Sequence, residues 1–381
     1  MAVAPQWHCG GCGFKPHRVH MKIAVLEPGA WGTTLGILLN RKGDETKVSS
    51  SLFANVRVNE VSFWYENPEL ALKIETVKEN EKLPGILIPK KIFISSDLGK
   101  VIENANLIII ASPSFNFRKT LLKLKKCRGR TPANYPPLLG IAKGIERETL
   151  KLPSQIVGEI FGKIPYAHLS GPGFAREIIK GKPAKEVIAS KSKKFLKQLK
   201  ELFKIKPLEI STTADLIGVQ LAGALKNALA IGISLVEAEY QNSKMSKDLI
   251  RLGLKEMIKL GQKMGAKKET FLGPVGRGDL ILTSTSPLSR NFQFGQTLYL
   301  DAEKMRKDYN PPTTSSRLRR APIRERKITV EGFDNVFAFY KLGKIHKLDL
   351  PMINEIYKVI YEKTSPEKAV KNLIELANLE E

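Results

Sequence analysis

Apolar and polar positions recur with two different periods along this chain of 381 residues. In the first half, short apolar runs alternate with stretches whose apolar residues have helical spacing. The run KIAVL is a predicted strand, and GAWGTTLGILLNRKG is a predicted helix that Gly43 ends. Further strand-like runs are NLIIIASPS, PPLLGIAKGI, YAHLSGPGFA, EVIAS and LEISTT. Strands that alternate with helices predict βαβ units and a mostly parallel sheet.

The pattern changes after about Thr212, where helices replace the alternation. ADLIGVQLAGALKNALAIGISLVEAEY predicts one long, mostly apolar helix, and SKDLIRLGLKEMIKLGQKMG predicts an amphipathic one. INEIYKVIYE and SPEKAVKNLIELANL predict two more. We therefore expect an α/β domain over residues 21–212 and an all-α domain over residues 213–381. A small-ligand site is expected in the cleft between them.

Three segments fall outside this pattern. Residues 1–20 contain Cys9 and Cys12 in a C-x-x-C beside His8, but Cys127 and the other four histidines do not complete a zinc site at suitable spacing. A disordered leader is the preferred interpretation, and no metal is expected. Residues 46–60 are predicted to be an insertion before the strand VSFW. Residues 310–327, rich in Pro, Ser, Thr and Arg, predict a disordered basic loop.

Composition and charge narrow the functional classes. No apolar run approaches the roughly 20 residues of a membrane span, residues 1–20 lack the apolar core of a signal peptide, and three cysteines make no disulfide framework. A cytoplasmic protein without integral membrane association is expected. The net charge of +24 attracts anions such as nucleotides and sugar phosphates. Because the excess lysine is spread over the whole chain, a solvated surface is favoured over nucleic-acid binding.

The stretch IAVLEPGAWGTTL matches most of a dinucleotide-binding turn. Gly29 and Gly32 fit the last two glycines of G-x-G-x-x-G, whereas Glu27 occupies the first position. Pro28 predicts an extended backbone at Glu27. A carboxylate about 4 Å from a phosphate would cost roughly 1–4 kcal/mol, depending on the local dielectric, unless the side chain turns away.

Several motifs together indicate a family. In order they are MKIAV…GAWGTTL, WYENPEL, LPG, ASPS, AKGIERETL, LSGPGFA, GALKNALAI, ETFLG…GRGDLILTSTSPLSRN and VEG. From about Met21 onward, outside the two insertions, the chain resembles the bacterial NAD(P)-dependent glycerol-3-phosphate dehydrogenases. The resemblance implies an α/β Rossmann-type dinucleotide-binding domain followed by an all-α C-terminal domain. It also implies a homodimer that interconverts dihydroxyacetone phosphate and sn-glycerol 3-phosphate with NAD(H) or NADP(H), supplying glycerophospholipid synthesis.

The resemblance assigns the chemistry to three residues. Lys226 matches the catalytic lysine, and its apolar helix would favour the neutral amine; the alternative is a lysine whose head group extends to water. Asp279 matches the acid that orients Lys226, the alternative being a helix N-cap or turn aspartate. Lys143 matches a lysine near substrate and nicotinamide, the alternative being a solvated loop lysine.

The remaining candidates follow from the same motifs. Arg290 and Asn291 match the substrate-phosphate site, where the planar guanidinium suits phosphate, and a surface arginine is the alternative. The other predicted substrate-binding residues are Lys143, Gly171, Gly173, Asn227 and Thr283. The predicted cofactor-binding residues are Gly29, Ala30, Trp31, Gly32, Glu66, Pro113, Lys143, Ala175, Arg290 and Glu331.

Four positions depart from the family pattern. Glu66 stands where NADP-tolerant members carry arginine, and an acid after the second strand favours NADH by binding ribose hydroxyls. Gly173 replaces a substrate-holding serine, Arg277 an apolar residue and Gln220 a glutamate. These departures, with Glu27, leave two rival interpretations open. One is a nucleotide-binding homologue with weak or no turnover, and the other is a related two-domain dehydrogenase for another small hydroxy or keto acid.

Overall fold

The computed structural model describes residues 19–44, 56–128, 135–241, 243–307 and 331–378. The predicted loop over residues 310–327 and the C-x-x-C lie outside these ranges. The strands of the described part are β1 Val19–Leu26, β2 Val56–Trp64, β3 Phe93–Ser95, β4 Leu107–Ile110, β5 Leu138–Gly140, β6 Tyr166–Ser170, β7 Ala184–Ala189 and β8 Leu208–Thr213. They form one sheet in the order β3-β2-β1-β4-β5-β6-β7-β8. All neighbours are parallel except β6 and β7, which are antiparallel.

Helices cover both faces of this sheet, as the alternating pattern predicts. They are α1 Ala30–Asp44, α2 Pro68–Val77, α3 Leu98–Ile102, α4 Ser114–Arg128, α5 Pro153–Phe161, α6 Ala175–Ile178 and α7 Lys193–Leu202. The strand β4 is buried along its whole length, and its successive residues enter two different cores: Ile108 and Ile110 enter one, Leu107 and Ile109 the other. The predicted α/β architecture is confirmed. Strand order reverses between β1 and β4, the place where such sheets bind ligands at their carboxyl ends.

The chain after β8 is helical, with α8 at its centre. The helices are α8 Leu216–Tyr240, α9 Ser243–Lys263, α10 Lys268–Leu272, α11 Asp279–Thr285, α12 Arg290–Lys307, α13 Glu331–Ile345, α14 Pro351–Tyr361 and α15 Pro366–Asn378, and Pro274–Gly278 forms a π-helical turn. By length and composition α8 could cross a membrane, but 94% of its apolar stretch is buried inside the protein. It packs against α9, α11, α12, α13, α14 and α15, so its apolar sequence serves an internal core.

Three boundaries differ from the prediction. The strand β2 begins at Val56, so residues 56–60 of the predicted insertion are strand, paired with β1 from Val19↔Val56 onward. The period-2 pattern of VRVNEV explains this pairing. The strand β1 begins two residues inside the predicted leader. Gly43 lies within α1, which continues to Asp44, because a glycine in a last helical turn costs only about 1 kcal/mol.

Candidate active site

Lys226 lies in the middle of α8, with only 6% of its surface exposed. Its ammonium donates to Asp279 Oδ1 at 3.0 Å and to Thr283 Oγ1 at 2.6 Å. Asp279 and Thr283 are four residues apart at the start of α11, so one helix face presents both oxygens. The alternative in which Lys226 extends to water is therefore wrong. The two oxygens that α11 presents satisfy the ammonium and explain how a buried lysine is accommodated on an apolar helix.

Asp279 also holds a second lysine. Lys143 follows β5, and its Nζ donates to Asp279 Oδ2 and to the Gly171 carbonyl, both at 2.7 Å. The carboxylate thus bridges two ammonium groups from different parts of the chain. The Lys143 carbonyl accepts the side-chain amides of Asn335 at 3.1 Å and Asn227 at 3.3 Å. Lys143 is only partly exposed, so the solvated-loop alternative does not describe it.

Burial and this sharing of charge set the protonation of the three groups. Burial lowers the pKa of Lys226 to about 8, partly offset by Asp279. Burial also disfavours the ammonium of Lys143, but Asp279 and Glu186 outweigh it, so the Lys143 pKa is raised. Burial would raise the pKa of Asp279, but the two lysines keep it below its usual value. Lys226 is therefore the member of this cluster that exchanges a proton near neutral pH.

A chain of amides connects this cluster to the start of α12. Asn291 donates to Asn227 Oδ1 at 2.8 Å and accepts the Gly332 N–H at 3.0 Å. A Cβ on Gly332 would lie 2.5 Å from Asn291 Oδ1, so only glycine allows this approach. Arg290 is the first residue of α12 and is exposed. Burial raises the pKa of Glu331, at the start of α13, and the Arg290 charge opposes this. The predicted substrate residues of the helical part therefore meet at one place.

Two glycines shape the turn after β1. A Cβ on Gly32 would lie 2.7 Å from that of Ala111, so this glycine lets α1 pack closely beside β4. A Cβ on Gly29 would meet only the end of the Lys82 side chain at 3.9 Å, which leaves the backbone open to a close ligand. The helix α1 begins at Ala30 and directs its first N–H groups at this opening.

Other predicted cofactor residues border the same opening. Trp31 is in the first turn of α1, and Pro113 precedes α4. Thr34, also on α1, donates to the Ala175 carbonyl at the start of α6. Beside Pro113, the buried hydroxyl of Ser112 has no hydrogen-bond partner among the described residues. The residues present thus fit a nicotinamide dinucleotide, which would supply an acceptor or donor for this hydroxyl.

Glu27 contradicts the prediction of an extended backbone. Its φ is 55°, in the left-handed region, although Pro28 follows. Two hydrogen bonds to residues at and just after the end of β2 hold it there: the Glu27 N–H donates to the Trp64 carbonyl at 2.8 Å, and its carboxylate accepts the Glu66 N–H. Burial raises the pKa of Glu27, partly offset by the Glu66 N–H. The side chain therefore lies against the end of β2 rather than across the first turn of α1.

The other departures leave the lysine cluster intact. Arg277 is exposed, within the π-helical turn. Gln220 is buried and fully bonded: its amide donates to Ser154 Oγ at 2.9 Å and to the Leu216 carbonyl at 2.7 Å, and its carbonyl accepts the Ser154 N–H. Gln220 thus joins α8 to α5 rather than acting in the site.

Sequence reasoning missed Glu186, on β7. It is 1% exposed, and its Oε2 has no hydrogen-bond partner among the described residues. A Cβ on Gly171 would lie 2.7 Å from Oε2, and one on Gly173 would lie 3.3 Å from Oε1. The carboxyl group therefore lies beside both glycines, and a Cβ at position 173 would also lie 2.5 Å from Ile178 Cδ1. The feature of the sequence that could have indicated Glu186 is a single acidic residue next to the apolar run VIAS. Asn335, which carries no motif, was also missed.

Glu186 makes stability depend on pH. Burial raises its pKa to about 7, despite the nearby Lys143 charge, whereas an unfolded glutamate titrates near 4.3. Between these values the folded state retains a proton that the unfolded state releases, so stability falls as pH rises. As pH rises from 5 to 8, we expect the free energy of unfolding of wild type to fall by about 2–3 kcal/mol relative to that of Glu186→Gln. Denaturant unfolding at each pH measures this difference. The exposed Glu209→Gln is the control; equal pH slopes in both variants would contradict this assignment.

The fold and these groups define a dinucleotide-binding oxidoreductase with a helical second part. Models of the NAD-dependent glycerol-3-phosphate dehydrogenase N-terminus and C-terminus match residues 22–196 and 215–371, respectively. The chain belongs to the NAD-dependent glycerol-3-phosphate dehydrogenase family, as its motifs predict.

Known relatives agree over most of the chain. The glycerol-3-phosphate dehydrogenase (NAD(P)+) of a Thermoanaerobacter species is 31% identical over 354 residues, covering 93% of this chain and 97% of that protein. That of Hydrogenovibrio crunogenus is 33% identical over 356 residues, covering 93% and 95%. The crystal structure of glycerol-3-phosphate dehydrogenase from Coxiella burnetii aligns with a TM-score of 0.78 and 27% identity, covering 93% of this chain and 99% of that chain.

Proposed function

We propose that this protein catalyses the reversible reduction of dihydroxyacetone phosphate to sn-glycerol 3-phosphate with NADH or NADPH. The observation that carries the proposal is the buried Lys226, held by Asp279 and Thr283 at 3.0 and 2.6 Å. The names of the bacterial relatives support the substrate pair. In this proposal residues 21–212 bind the dinucleotide, and residues 213–381 contribute Lys226, Asp279 and Arg290. The product would supply glycerophospholipid synthesis.

The residues account for the movement of charge. The turn around Gly29 and Gly32 would hold a nicotinamide dinucleotide, which would supply the chemistry of hydride transfer. Negative charge then develops on the carbonyl oxygen, and Lys226 is placed to neutralise it by donating a proton. Asp279 orients the Lys226 amine by accepting its hydrogen bond. Lys143, fixed by the same carboxylate and by Gly171, supplies a second positive charge at this place.

Arg290 is proposed to bind the substrate phosphate. It stands at the first residue of an 18-residue helix, where backbone N–H groups add to the guanidinium in attracting an anion. Asn291 and Asn227 connect this point to Lys143 and hence to the reacting carbon. The phosphate would then fix the distance between C2 and Lys226.

One assay tests the function together with this assignment. Wild type is expected to oxidise NADH with dihydroxyacetone phosphate. We expect Arg290→Ala to raise KM about 10–100-fold, because a charge-assisted pair contributes about 1.5–3 kcal/mol, and to lower kcat less. Arg251→Ala, an exposed arginine of α9, is the control. Turnover only with another keto substrate would support the rival dehydrogenase. Binding of NADH without turnover would support the non-catalytic homologue.

Two expectations remain. The resemblance implies a homodimer, which the native mass in solution tests, and the composition of the chain favours a cytoplasmic location, which fractionation of the source cells tests. The described residues contain no group of three or more His, Cys, Asp or Glu side chains able to hold a metal ion. The proposed reaction relies on the lysine cluster for its proton.

A further inference from the structure

Glu27 lies in an open cleft at the carboxyl ends of β1 and β2. The cleft has a volume of about 670 Å³ and is lined by Glu27, Glu66, Asn67, Pro68, Glu69 and Leu70. Gly29 follows Glu27 by two residues, so the cleft adjoins the dinucleotide-binding turn along the chain. In a Rossmann-type sheet this position receives the adenosine ribose, which an acid at the end of the second strand normally binds. Two carboxylates of this cleft, those of Glu27 and Glu66, are candidates for that acid.

Glu66 has the expected chain position, but its carboxylate is engaged elsewhere. It is paired with two lysines of α4, Lys119 at 2.9 Å and Lys123. These hydrogen bonds lower the pKa of Glu66 and direct its charge at α4. Two positive charges on one carboxylate also leave this side of the cleft without a net negative charge, so Glu66 is poorly suited to repel a further phosphate.

The Glu27 carboxylate, unlike that of Glu66, is held by a backbone N–H group. It accepts the N–H of Glu66, so it lies at the end of β2 although Glu27 follows β1. Among the described residues Glu27 forms no ion pair, although the charges of Lys82 and Lys123 act to lower its pKa. Its left-handed φ is a conformation that non-glycine residues keep only where the surroundings impose it. The hydrogen bonds to Trp64 and Glu66 impose it and fix the direction of the side chain.

We propose that the Glu27 carboxylate, rather than that of Glu66, binds the adenosine ribose hydroxyls and selects NADH over NADPH. The inference rests on the proposed dinucleotide site. A carboxylate accepts two hydroxyl hydrogens from the ribose diol. The 2′-phosphate of NADPH removes one of these donors and places like charges a few ångströms apart. One substitution at the first glycine position would thus combine the tight turn with the role of the usual ribose-binding acid.

Direct binding measurements test this inference without turnover. Dissociation constants for NADH and NADPH are measured by nucleotide fluorescence for wild type, Glu27→Gln, Glu27→Gly and Glu66→Gln. Glu69→Gln, in the same cleft, is the matched control. Wild type is expected to favour NADH at least about tenfold. Glu27→Gln keeps an acceptor for the Glu66 N–H and is expected to lower this preference about tenfold. Glu27→Gly is expected to bind NADH about tenfold more weakly.

The outcomes separate the inference from the proposed function. A larger loss of preference in Glu66→Gln than in Glu27→Gln would assign the role to Glu66 and overturn the inference. Tighter NADH binding by Glu27→Gly would show that Glu27 only obstructs the site, which also overturns it. Either result leaves the dinucleotide site in place. Failure of wild type to bind either nucleotide would overturn the dinucleotide site itself. Thermal unfolding of each variant shows whether a change in affinity reflects loss of the fold.

Discussion

Lys226→Met is expected to lower kcat about 100- to 10,000-fold, the range for removal of a general acid or base. Methionine keeps the length of the side chain and suits the apolar face of α8, so the variant should fold. Asp279 keeps Lys143 as its partner. The dissociation constant for NADH should remain near that of wild type, because Lys226 lies on the substrate side of the proposed site.

The pH dependence distinguishes proton transfer from mere binding. With a pKa of about 8, Lys226 is protonated below that pH and neutral above it. Reduction of the ketone needs the ammonium and should weaken as pH rises through about 8, while oxidation of the alcohol needs the amine and should strengthen. Lys185→Met, at an exposed position of β7, is the control. It should keep both the fall of the reduction rate and the rise of the oxidation rate as pH increases. A kcat for Lys226→Met within tenfold of wild type would contradict the assignment.

Asp279→Asn is expected to damage both stability and activity. The carboxylate is 2% exposed and is shared by two lysines. Its neutralisation leaves two ammonium groups beside each other without their common partner, which costs about 3–5 kcal/mol where a buried pair is broken. Because Asp279 raises the pKa of both lysines, we also expect the Lys226 pKa to fall further. Reduction should then be lost at a lower pH, and kcat should fall about 100-fold or more.

A buried acid outside the site separates these effects. Glu256, on α9, is 3% exposed and accepts the N–H groups of Met352 and Ile353 at the start of α14. Glu256→Gln is expected to alter the free energy of unfolding while kcat stays near that of wild type. Denaturant unfolding and steady-state rates are measured on the same preparations. An Asp279→Asn variant with wild-type stability and wild-type kcat would show that the bridge between the lysines is unimportant.

The hydrophobic pattern predicted the elements well and their ends less well. The alternation of strands and helices, the change near Thr212 and the long α8 are all present. The predicted insertion wrongly included residues 56–60, because pairing with β1 extends a strand through a segment of mixed polarity. The local rule at Pro28 also failed. The hydrogen bonds that join Glu27 to Trp64 and Glu66, at the carboxyl end of β2, outweigh the local steric preference for an extended backbone before proline.

The sequence by itself determined the family and the chemical groups, since Lys226, Asp279 and Arg290 each lie in a motif with its own spacing. Tertiary structure decided which groups meet. Asp279 bridges Lys143 and Lys226 because the segment after β5, the middle of α8 and the start of α11 come together. Glu186 faces Gly171 because β6 and β7 are antiparallel. The Glu27 carboxylate meets the Glu66 N–H because β1 and β2 are neighbours in the sheet. Such contacts join residues remote along the chain, so their distances depend on strand order and helix packing, which local spacing does not encode.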